Sequence, residues 1–304
     1  MRREYQILDH KLVEAQGEHC PITIFINPEE NEKKYLIEGL KIDEHTLASA
    51  LDPDELSRLE FEPEHVAIIF KRPRNYSGAE QFFFRVSSAG AFLFKDRLII
   101  VVSEDVPVLD KTQMARVHSL GDLILKLIAR SIIHFREHLK IISMISDELQ
   151  SAINTAMGNV QLINMFTLQK SLVYYVTSIN SNGVLLEKLK NNATKIGLSS
   201  EEIEVLDDIL IENNQCYRQA EIYSNILASL MDARASIVSN NLNALMKTLN
   251  IITIAIMVPT FVVSAFSMNV GIPLSRHQYA FWIIMALAIF SVLTFLLFWR
   301  YRRW

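Results

Sequence analysis

Two long apolar stretches without a charged residue dominate the hydrophobic pattern of the chain. They cover residues 249–268 and 279–299. Each has about the 20 residues that an α-helix needs to cross the ~30 Å hydrocarbon core of a bilayer. We therefore predict two transmembrane helices over these residues, joined by a short external loop at 269–278 and followed by a basic tail at 300–304.

The positive charges that flank these stretches predict their orientation. Lys247 precedes the first span and three arginines follow the second, whereas the loop between the spans carries Arg276 alone. Because cytoplasmic flanks carry an excess of Lys and Arg, both flanks should lie in the cytoplasm. The N-terminal residues have no apolar run long enough for a signal peptide. We expect a multi-pass protein of the inner or plasma membrane with both termini cytoplasmic.

Short β-branched and aromatic runs, bounded by Pro, Gly or charged residues, predict strands in residues 1–110. These runs lie at 22–26, 66–70, 82–86, 91–94 and 98–102. A helical pattern covers 44–59, where Asp52 and Pro53 have the character of an N-cap and a first-turn proline. The first 110 residues are therefore predicted to form an α+β domain in which helices pack on a mixed sheet.

The pattern becomes helical from residue 111 to residue 248. Proline is absent from residues 108–258, and apolar residues recur at helical spacing. The last helix has a cap signal at Ser199 and Ser200 and meets no Gly or Pro until Pro259, which makes it about 60 residues or ~90 Å long. We predict long cytosolic helices, the last of which is a stalk that continues into the first span.

Charge is distributed as unevenly as hydrophobicity. The chain of 304 residues has 30 Lys+Arg and 34 Asp+Glu; four of the arginines and no acidic residue lie beyond Lys247. The preceding part thus carries 26 basic and 34 acidic side chains, a formal net charge of −8, which attracts cations and disfavours nucleic acid. Cys20 and Cys216 form no CxxC pattern. The sequence also has no P-loop, dinucleotide-binding turn or nucleophile elbow, so we expect no enzyme activity.

Polar and thioether side chains recur by three and four residues along the first span and the residues just before it. This stripe consists of Asn243, Met246, Asn250, Thr253, Met257, Thr260, Ser264 and Ser267. One stripe cannot enclose a passage, but several copies around an axis would line a narrow tube, which favours a homo-oligomeric pore. The alternative is that small polar residues hold helices together. Pro259 leaves the carbonyl of Ala255 without its usual donor, which predicts a kink or a gating bend.

Three histidines are candidate metal ligands. His134 and His138 are four residues apart on a predicted helix, but no third ligand is evident. We interpret this pair as solvated or packed histidines. His277 in the external loop is a better candidate, because imidazole favours Zn²⁺ or Ni²⁺ over Mg²⁺.

The C-terminal sequence resembles the CorA family of magnesium channels and its zinc-transporting relatives. The resemblance rests on the run Asn-Asn-Leu-Asn-Ala-Leu-Met-Lys at 240–247, on the proline in the first span, and on Phe266-Ser267-Met268-Asn269 at its outer end. A short loop, a second span and a basic tail then follow in the family's order. The family hallmark is Tyr-Gly-Met-Asn, so Ser267 replaces a glycine and adds a Cβ that restricts φ. Before about residue 206 only the architecture is similar.

The resemblance implies a funnel-shaped homopentamer in which the first-span helices line the pore. By ungapped alignment from Asn269, the family's pore positions fall on Asn243, Met246, Leu249, Met257, Thr260 and Asn269. Leu249 thereby joins the stripe as a hydrophobic constriction, and Ser267, Met268 and Asn269 form the selectivity motif. The same alignment places one carboxylate of a regulatory metal site between subunits at Asp208. The alternative for Asp208 is an ordinary solvated acidic helix face.

Three functions are consistent with these features. The first is a passive channel for divalent cations that is gated by cytosolic metal binding, with Mg²⁺ as the expected transported and regulatory ion and Co²⁺ or Ni²⁺ as alternative ions. The second is a proton-coupled Zn²⁺ transporter on the same scaffold. The third is a non-transporting signalling or scaffold protein of the membrane. The expected partners are further copies of the chain, the lipid bilayer and divalent cations, with no nucleic acid.

Overall fold

The computed structural model describes residues 1–15, 20–76, 82–105, 117–152, 159–268, 270–271 and 277–302. They belong to two units, Met1–Met231 and Asp232–Trp304. In the first unit the described residues form one seven-stranded sheet. Its strands are β1 (Arg2–Leu8), β2 (Lys11–Glu14), β3 (Ile22–Ile26), β4 (Arg58–Phe61), β5 (His65–Pro73), β6 (Val86–Phe94) and β7 (Leu98–Val102). The finer division of the chain at residues 110, 248 and 278 stays a prediction.

The sheet is mixed, with the strand order β2-β1-β3-β7-β6-β5-β4. Its central pair, β3 and β7, is parallel, in a register that runs from Ile22 opposite Leu98 to Ile26 opposite Val102. The other neighbouring strands are antiparallel. Every residue of β3 and β7 is buried, as expected of strands covered on both faces, which need continuous apolar runs rather than alternation.

Helices cover both faces of the sheet. One face packs against the π-helical turn Tyr35–Gly39 and α2 (Glu44–Leu51). They follow the short helix α1 (Glu30–Lys34), which has no buried residue. The other face packs against α3 (Leu120–Ala152), α4 (Asn159–Asn191) and the first part of α6 (Ser200–Phe266). Successive residues of β5 alternate between the two cores, as the period of two in a strand requires. This arrangement confirms the predicted α+β class with long helices.

A glycine and a capping box separate the short helix α5 (Ala193–Ile196) from the long helix α6. Helix α5 ends at Gly197 in the left-handed conformation, with φ of 86°. Ser199 then caps α6: its hydroxyl accepts from the amide of Glu202 at 3.2 Å, and the Glu202 carboxylate accepts from the amide of Ser199 at 2.7 Å. As predicted, α6 runs without interruption to Pro259, and it continues past that proline to Phe266. The last helix is α7 (Ala280–Arg302).

The predicted helix at 44–59 is wrong in its second half. Helix α2 ends at Leu51, and its N-cap is Asp43, whose carboxylate accepts from the amide of Thr46 at 3.0 Å. Asp52 is the C-cap of α2 rather than an N-cap, with the extended backbone angles φ −84° and ψ 119°. The physical reason is Pro53, because the residue before a proline is driven out of the helical region. The next element of regular structure is β4, which begins at Arg58.

The predicted strand at 82–86 is also wrong. Phe82 has a positive φ of 69°, and β6 begins only at Val86. The backbone amide of Phe84 donates to the hydroxyl of Ser171 on α4, at 3.0 Å, instead of to a neighbouring strand. A side chain of the covering helix therefore takes the place of a strand partner here.

A buried amide joins α4 to the sheet at the end of the β4–β5 ladder. Asn182 is fully buried, its Oδ1 accepts from the backbone amide of Lys71, and its Nδ2 donates to the carbonyl of Lys71, both at 2.8 Å. Ser57 also donates to Asn182 Oδ1 at 2.8 Å. The register of β4 on β5 ends before Lys71, so this side chain replaces the missing strand and satisfies a buried donor and a buried acceptor. It positions α4, and with it the helices that pack on α4.

Candidate functional site

The predicted pore stripe lies on the C-terminal part of α6. Eight of its members are in the helix, and Ser267 follows directly after Phe266. At 3.6 residues per turn the nine positions fall within an arc of roughly 120° of the helix surface. The members are Asn243, Met246, Leu249, Asn250, Thr253, Met257, Thr260, Ser264 and Ser267, and each is exposed in the single chain.

The stripe combines uncharged polar groups with large apolar side chains. Met246 and Leu249 are each 57% exposed and Met257 is 63% exposed. The hydroxyls of Thr253 and Thr260 donate to the carbonyls of Leu249 and Ile256, at 2.9 and 2.7 Å. Each threonine oxygen therefore keeps its acceptor capacity free toward the exposed face. A surface of this kind offers neutral oxygen acceptors at several levels along the helix, separated by apolar side chains.

The outer end of the stripe borders α7. An open groove of about 650 Å³ lies between the two helices and is lined mostly by apolar side chains of α6 and α7, including Pro259, Val263 and Met285. Thr260, Ser264 and Ser267 stand at its edge. The stripe and the groove therefore overlap at the last two turns of α6, whereas Asn243 to Met257 lie clear of it. The kink predicted at Pro259 stays a prediction.

The selectivity motif is only partly described. Ser267 closes the end of α6, since both its amide and its hydroxyl donate to the carbonyl of Ser264, at 3.1 and 3.0 Å. Met268 is 59% exposed. Asn269 and Arg276 lie outside the described residues. His277 is described: its Nδ1 accepts from the amide of Tyr279 at 3.3 Å, so it forms the turn that starts α7.

Asp208 lies on the solvent face of α6 within the first unit. The opposite face of the same segment is buried through Leu206, Ile209 and Asn213. The neighbouring Asp207 forms an ion pair with Lys190 of α4 at 2.7 Å, whereas Asp208 is exposed. Among the described residues no group of three or more His, Cys, Asp or Glu side chains is arranged to hold a metal ion. A metal site at Asp208 would therefore need ligands from another chain.

The histidine pair on α3 is packed against the core. His138 is 5% exposed, and its Nδ1 forms a 2.6 Å hydrogen bond with the hydroxyl of Tyr175 on α4. The ring of His134 lies 4.4 Å from that of His138, centroid to centroid. Burial, helped by His134, lowers the pKa of His138 to about 4. Both findings agree with the interpretation of this pair as packed histidines, and they explain why His138 is neutral in the folded protein.

In the described part of the chain, two helices are long and apolar enough to cross a membrane. They are Ser200–Phe266 and Ala280–Tyr301, and their most apolar windows are 0% and 6% buried. The core helix of a soluble protein would be mostly buried, so these exposed apolar surfaces need another apolar environment. The second helix is apolar on all sides, as expected of a helix in contact with lipid.

Comparison with known proteins identifies membrane transport proteins as relatives of this chain. A family model described as "CorA-like Mg2+ transporter protein" matches residues 23–303. The cobalt/magnesium transport protein CorA of Methanocaldococcus jannaschii is 23% identical over 291 residues, which are 91% of this chain and 89% of that protein. The complete structure of the CorA magnesium transporter from the same organism has a TM-score of 0.83 at 23% identity, over 98% of this chain and 96% of its own.

The soluble unit also has structural relatives. The cytoplasmic domain of ZntB from Vibrio parahaemolyticus has a TM-score of 0.63 at 13% identity, and the alignment covers 78% of this chain and 98% of that domain. At such identities the likeness is one of fold. The α+β unit with its long helices therefore has the fold of the ZntB cytoplasmic domain as well as that of CorA.

The fold and the two apolar helices define an integral membrane protein with a large α+β unit. Since the family model covers residues 23–303, the chain belongs to the family of CorA-like Mg²⁺ transporter proteins. The family comprises divalent-cation transporters and not enzymes, in agreement with the sequence analysis.

The neutral state of His138 makes a prediction for the pH dependence of stability. Its pKa is about 4 in the folded protein and ~6.5 when unfolded, so the unfolded chain binds the proton more readily. The contribution of neutral His138 to the free energy of unfolding is fully present above pH 6.5 and is lost as the pH falls toward 4. Between about pH 7.5 and about pH 5 the free energy of unfolding should fall by about 2 kcal/mol through this residue.

Urea-induced unfolding of the detergent-solubilised protein, followed by circular dichroism, measures this loss. The variant His138→Gln keeps a polar partner for Tyr175. Its free energy of unfolding should lack the ~2 kcal/mol loss between pH 7.5 and pH 5. His45 is exposed on α2, and His45→Gln should keep the wild-type dependence. Equal pH dependence in wild type and His138→Gln would show that His138 is not a buried neutral histidine.

Proposed function

We propose that the protein is a homopentameric channel that conducts divalent cations, with Mg²⁺ as the transported ion, along the stripe of α6. The observation that carries this proposal is the stripe itself: amides, hydroxyls and thioethers over more than six turns of a helix that belongs in a bilayer. Polar groups at that depth face a partner or a water-filled cavity. Several copies of α6 around one axis supply such a cavity, and the number five comes from the resemblance to the family.

The chemistry of the stripe suits a hydrated ion. Mg²⁺ releases its waters reluctantly, and neutral acceptors such as Asn243, Asn250 and Thr253 can hydrogen-bond to those waters without removing them. Neutral groups also bind weakly enough for the ion to leave. In the pentamer Met246, Leu249 and Met257 would form apolar rings that close the pore by dewetting.

The outer mouth and the regulatory site complete the proposal. Rings of Ser267, Met268 and Asn269 would select the ion at the outer end. Asp208 would bind Mg²⁺ together with groups of a neighbouring subunit, which its exposure permits. Both flanks of the spans would lie in the cytoplasm of an inner or plasma membrane, and the membrane potential would drive entry with ~2.3 kcal/mol per charge per 100 mV.

A proton-coupled Zn²⁺ transporter is the second candidate. It is favoured by the likeness of the soluble unit to the ZntB cytoplasmic domain and by Ser267, which stands where the magnesium channels have glycine. Both candidates use the same scaffold and the same α6 stripe. They differ in the ion that is preferred and in the energy source.

Flux into proteoliposomes separates the two candidates. We expect Mg²⁺ uptake that follows the membrane potential and is unchanged by a pH gradient of about one unit, which is worth ~1.4 kcal/mol per proton. Co²⁺ and Ni²⁺ should compete, and Zn²⁺ should be taken up more slowly. Zn²⁺ uptake that requires the pH gradient would favour the second candidate, and no cation flux at all would favour a signalling or scaffold role.

Two threonines on α6 provide a matched test of the pore face. Thr253 is in the stripe, whereas Thr248 lies roughly 140° away around the helix. The hydroxyl of each donates to the carbonyl four residues before it, at 2.9 Å. Thr253→Val removes a ring of hydroxyls at nearly constant volume and should lower Mg²⁺ flux by roughly fivefold or more. Thr248→Val should leave the flux within about twofold of wild type.

Native mass spectrometry is the control for this pair of variants, because both should remain pentamers. Equal flux in the two variants would remove this face of α6 from the pore. A monomer or a dimer in the wild-type protein would contradict the channel itself.

Asp208 and its neighbour test the regulatory site. Asp208→Asn removes one charged oxygen ligand from each subunit interface, and the internal Mg²⁺ concentration that halves the flux should rise by roughly tenfold. Asp207→Asn is the control, because Asp207 already pairs with Lys190 of its own chain. Mg²⁺ inhibition that is unchanged in Asp208→Asn, measured in proteoliposomes with defined internal Mg²⁺, would assign Asp208 to an ordinary solvated helix face.

A further inference from the structure

A cavity of about 110 Å³ lies between the sheet and α3 in the first unit. Its floor and walls are apolar and come from β5, β6, β7 and α3; Phe70, Ala89 and Ile100 among them are each at most 2% exposed. Its polar lining consists of Arg72, Asn75, Arg130, Ser131, His134 and Glu137. Asn75 is exposed and Glu137 is half exposed, so the polar side chains mark an entrance from solvent.

Arg72 is the unusual member of this cavity. It is 5% exposed, and its Nε and Nη2 have no hydrogen-bond partner in the described part of the chain. The adjacent Lys71 is also buried, but its Nζ donates to the carbonyl of Pro53 at 2.7 Å and to the hydroxyl of Ser88 at 2.8 Å. Leaving a buried charged donor unpartnered is costly, which makes Arg72 a group that lacks its ligand.

The nearby carboxylates do not neutralise Arg72. Glu104, which acts on it electrostatically, forms an ion pair with Arg74. Glu137 lies 3.8 Å from Arg130, oxygen to nitrogen. Burial lowers the pKa of Arg72 to about 10 and also lowers the pKa of His134. At neutral pH the cavity therefore carries two guanidinium groups, one carboxylate and a neutral imidazole, so one positive charge is in excess.

The geometry of the unpartnered nitrogens indicates what would bind. Nε–H and the nearer N–H of Nη2 lie on the same edge of the guanidinium plane and point in parallel directions. This edge matches two oxygens of one carboxylate or phosphate group in a bidentate arrangement. A spherical ion such as chloride uses that edge less well. The cavity volume equals about three or four waters at ~30 Å³ each, which admits a small inorganic anion and excludes a nucleotide.

We propose that this cavity is a binding site for a small oxyanion of the size of inorganic phosphate, held by the Nε–Nη2 edge of Arg72 with Arg130 at the entrance. The bound anion supplies the two missing acceptors and compensates the excess positive charge. The site lies on the sheet of the soluble unit and uses none of the residues of the α6 stripe. It therefore stands independently of which cation the protein transports.

Titration of the detergent-solubilised full-length protein with inorganic phosphate tests the proposal. We expect saturable calorimetric binding of one phosphate per chain, and an unfolding temperature that rises with phosphate concentration by mass action. Potassium chloride at the same ionic strength should produce neither effect. No binding of phosphate at millimolar concentration would mean that the cavity holds only water, and an equal effect of chloride would refute recognition by the bidentate edge.

Variants of two neighbouring arginines locate the site. Arg72→Met should weaken phosphate binding by at least about a hundredfold, since a charge-assisted bidentate pair is lost. Arg74→Lys, on the same segment, keeps a cation paired with Glu104 near the surface and should bind phosphate like the wild type. Undiminished binding in Arg72→Met would overturn the assignment.

Arg72→Lys keeps the proposal testable if the methionine variant does not fold. Lysine retains the positive charge but not the parallel N–H edge, so phosphate affinity should fall by roughly tenfold while the unfolding transition stays cooperative. A lysine variant that binds phosphate as tightly as the wild type would show that charge alone, and not the guanidinium geometry, holds the anion, and would refute the proposed mode of binding.

Discussion

The free-energy cost of placing a polar side chain in hydrocarbon determines which surroundings the C-terminal part of α6 requires. Threonine and serine reduce that cost locally, because a hydroxyl can donate to a carbonyl of the preceding turn, as Thr253 and Thr260 do on α6. An asparagine amide has two donor hydrogens and an acceptor, so one carbonyl of the preceding turn cannot satisfy it. Asn250 therefore imposes the stricter requirement. It needs water or a second polar surface, which further copies of α6 would supply in the proposed channel.

Periodic features of the sequence predicted the structure well. Continuous apolar runs predicted the buried strands β3 and β7 and the two apolar spans. Apolar residues at helical spacing predicted the long helices. The strands β1, β2 and β4, which lie toward the two ends of the sheet, were missed because they are rich in charged residues and partly exposed, as in the sequence Arg-Leu-Glu-Phe of β4. Their extended conformation comes from pairing with a neighbour, which no local pattern records.

The candidate sites also differ in whether a periodic pattern in the sequence marks them. The α6 stripe could be predicted because its members follow the helical period, whereas Asp208 was placed by resemblance alone. The structural role of Asn182 was not predictable, because its partner Lys71 is 111 residues away. The role proposed for Arg72 was equally unpredictable from the sequence. Two of its guanidinium nitrogens have no hydrogen-bond partner among the described residues, and only the folded surroundings of a side chain reveal this property.

The position of the spans after the soluble unit has a consequence for how the protein is made. All seven strands of the sheet lie within Arg2–Val102, and α6 leaves the first unit only at Met231. At roughly 5–20 residues per second, translation reaches that point after about 10–50 s, ample time for the sheet to close. The protomer therefore enters the bilayer with a folded soluble unit and an unassembled polar stripe. In the proposed channel, burial of that stripe depends on encounters between protomers in the plane of the membrane, so the concentration of subunits there would limit how fast functional protein accumulates.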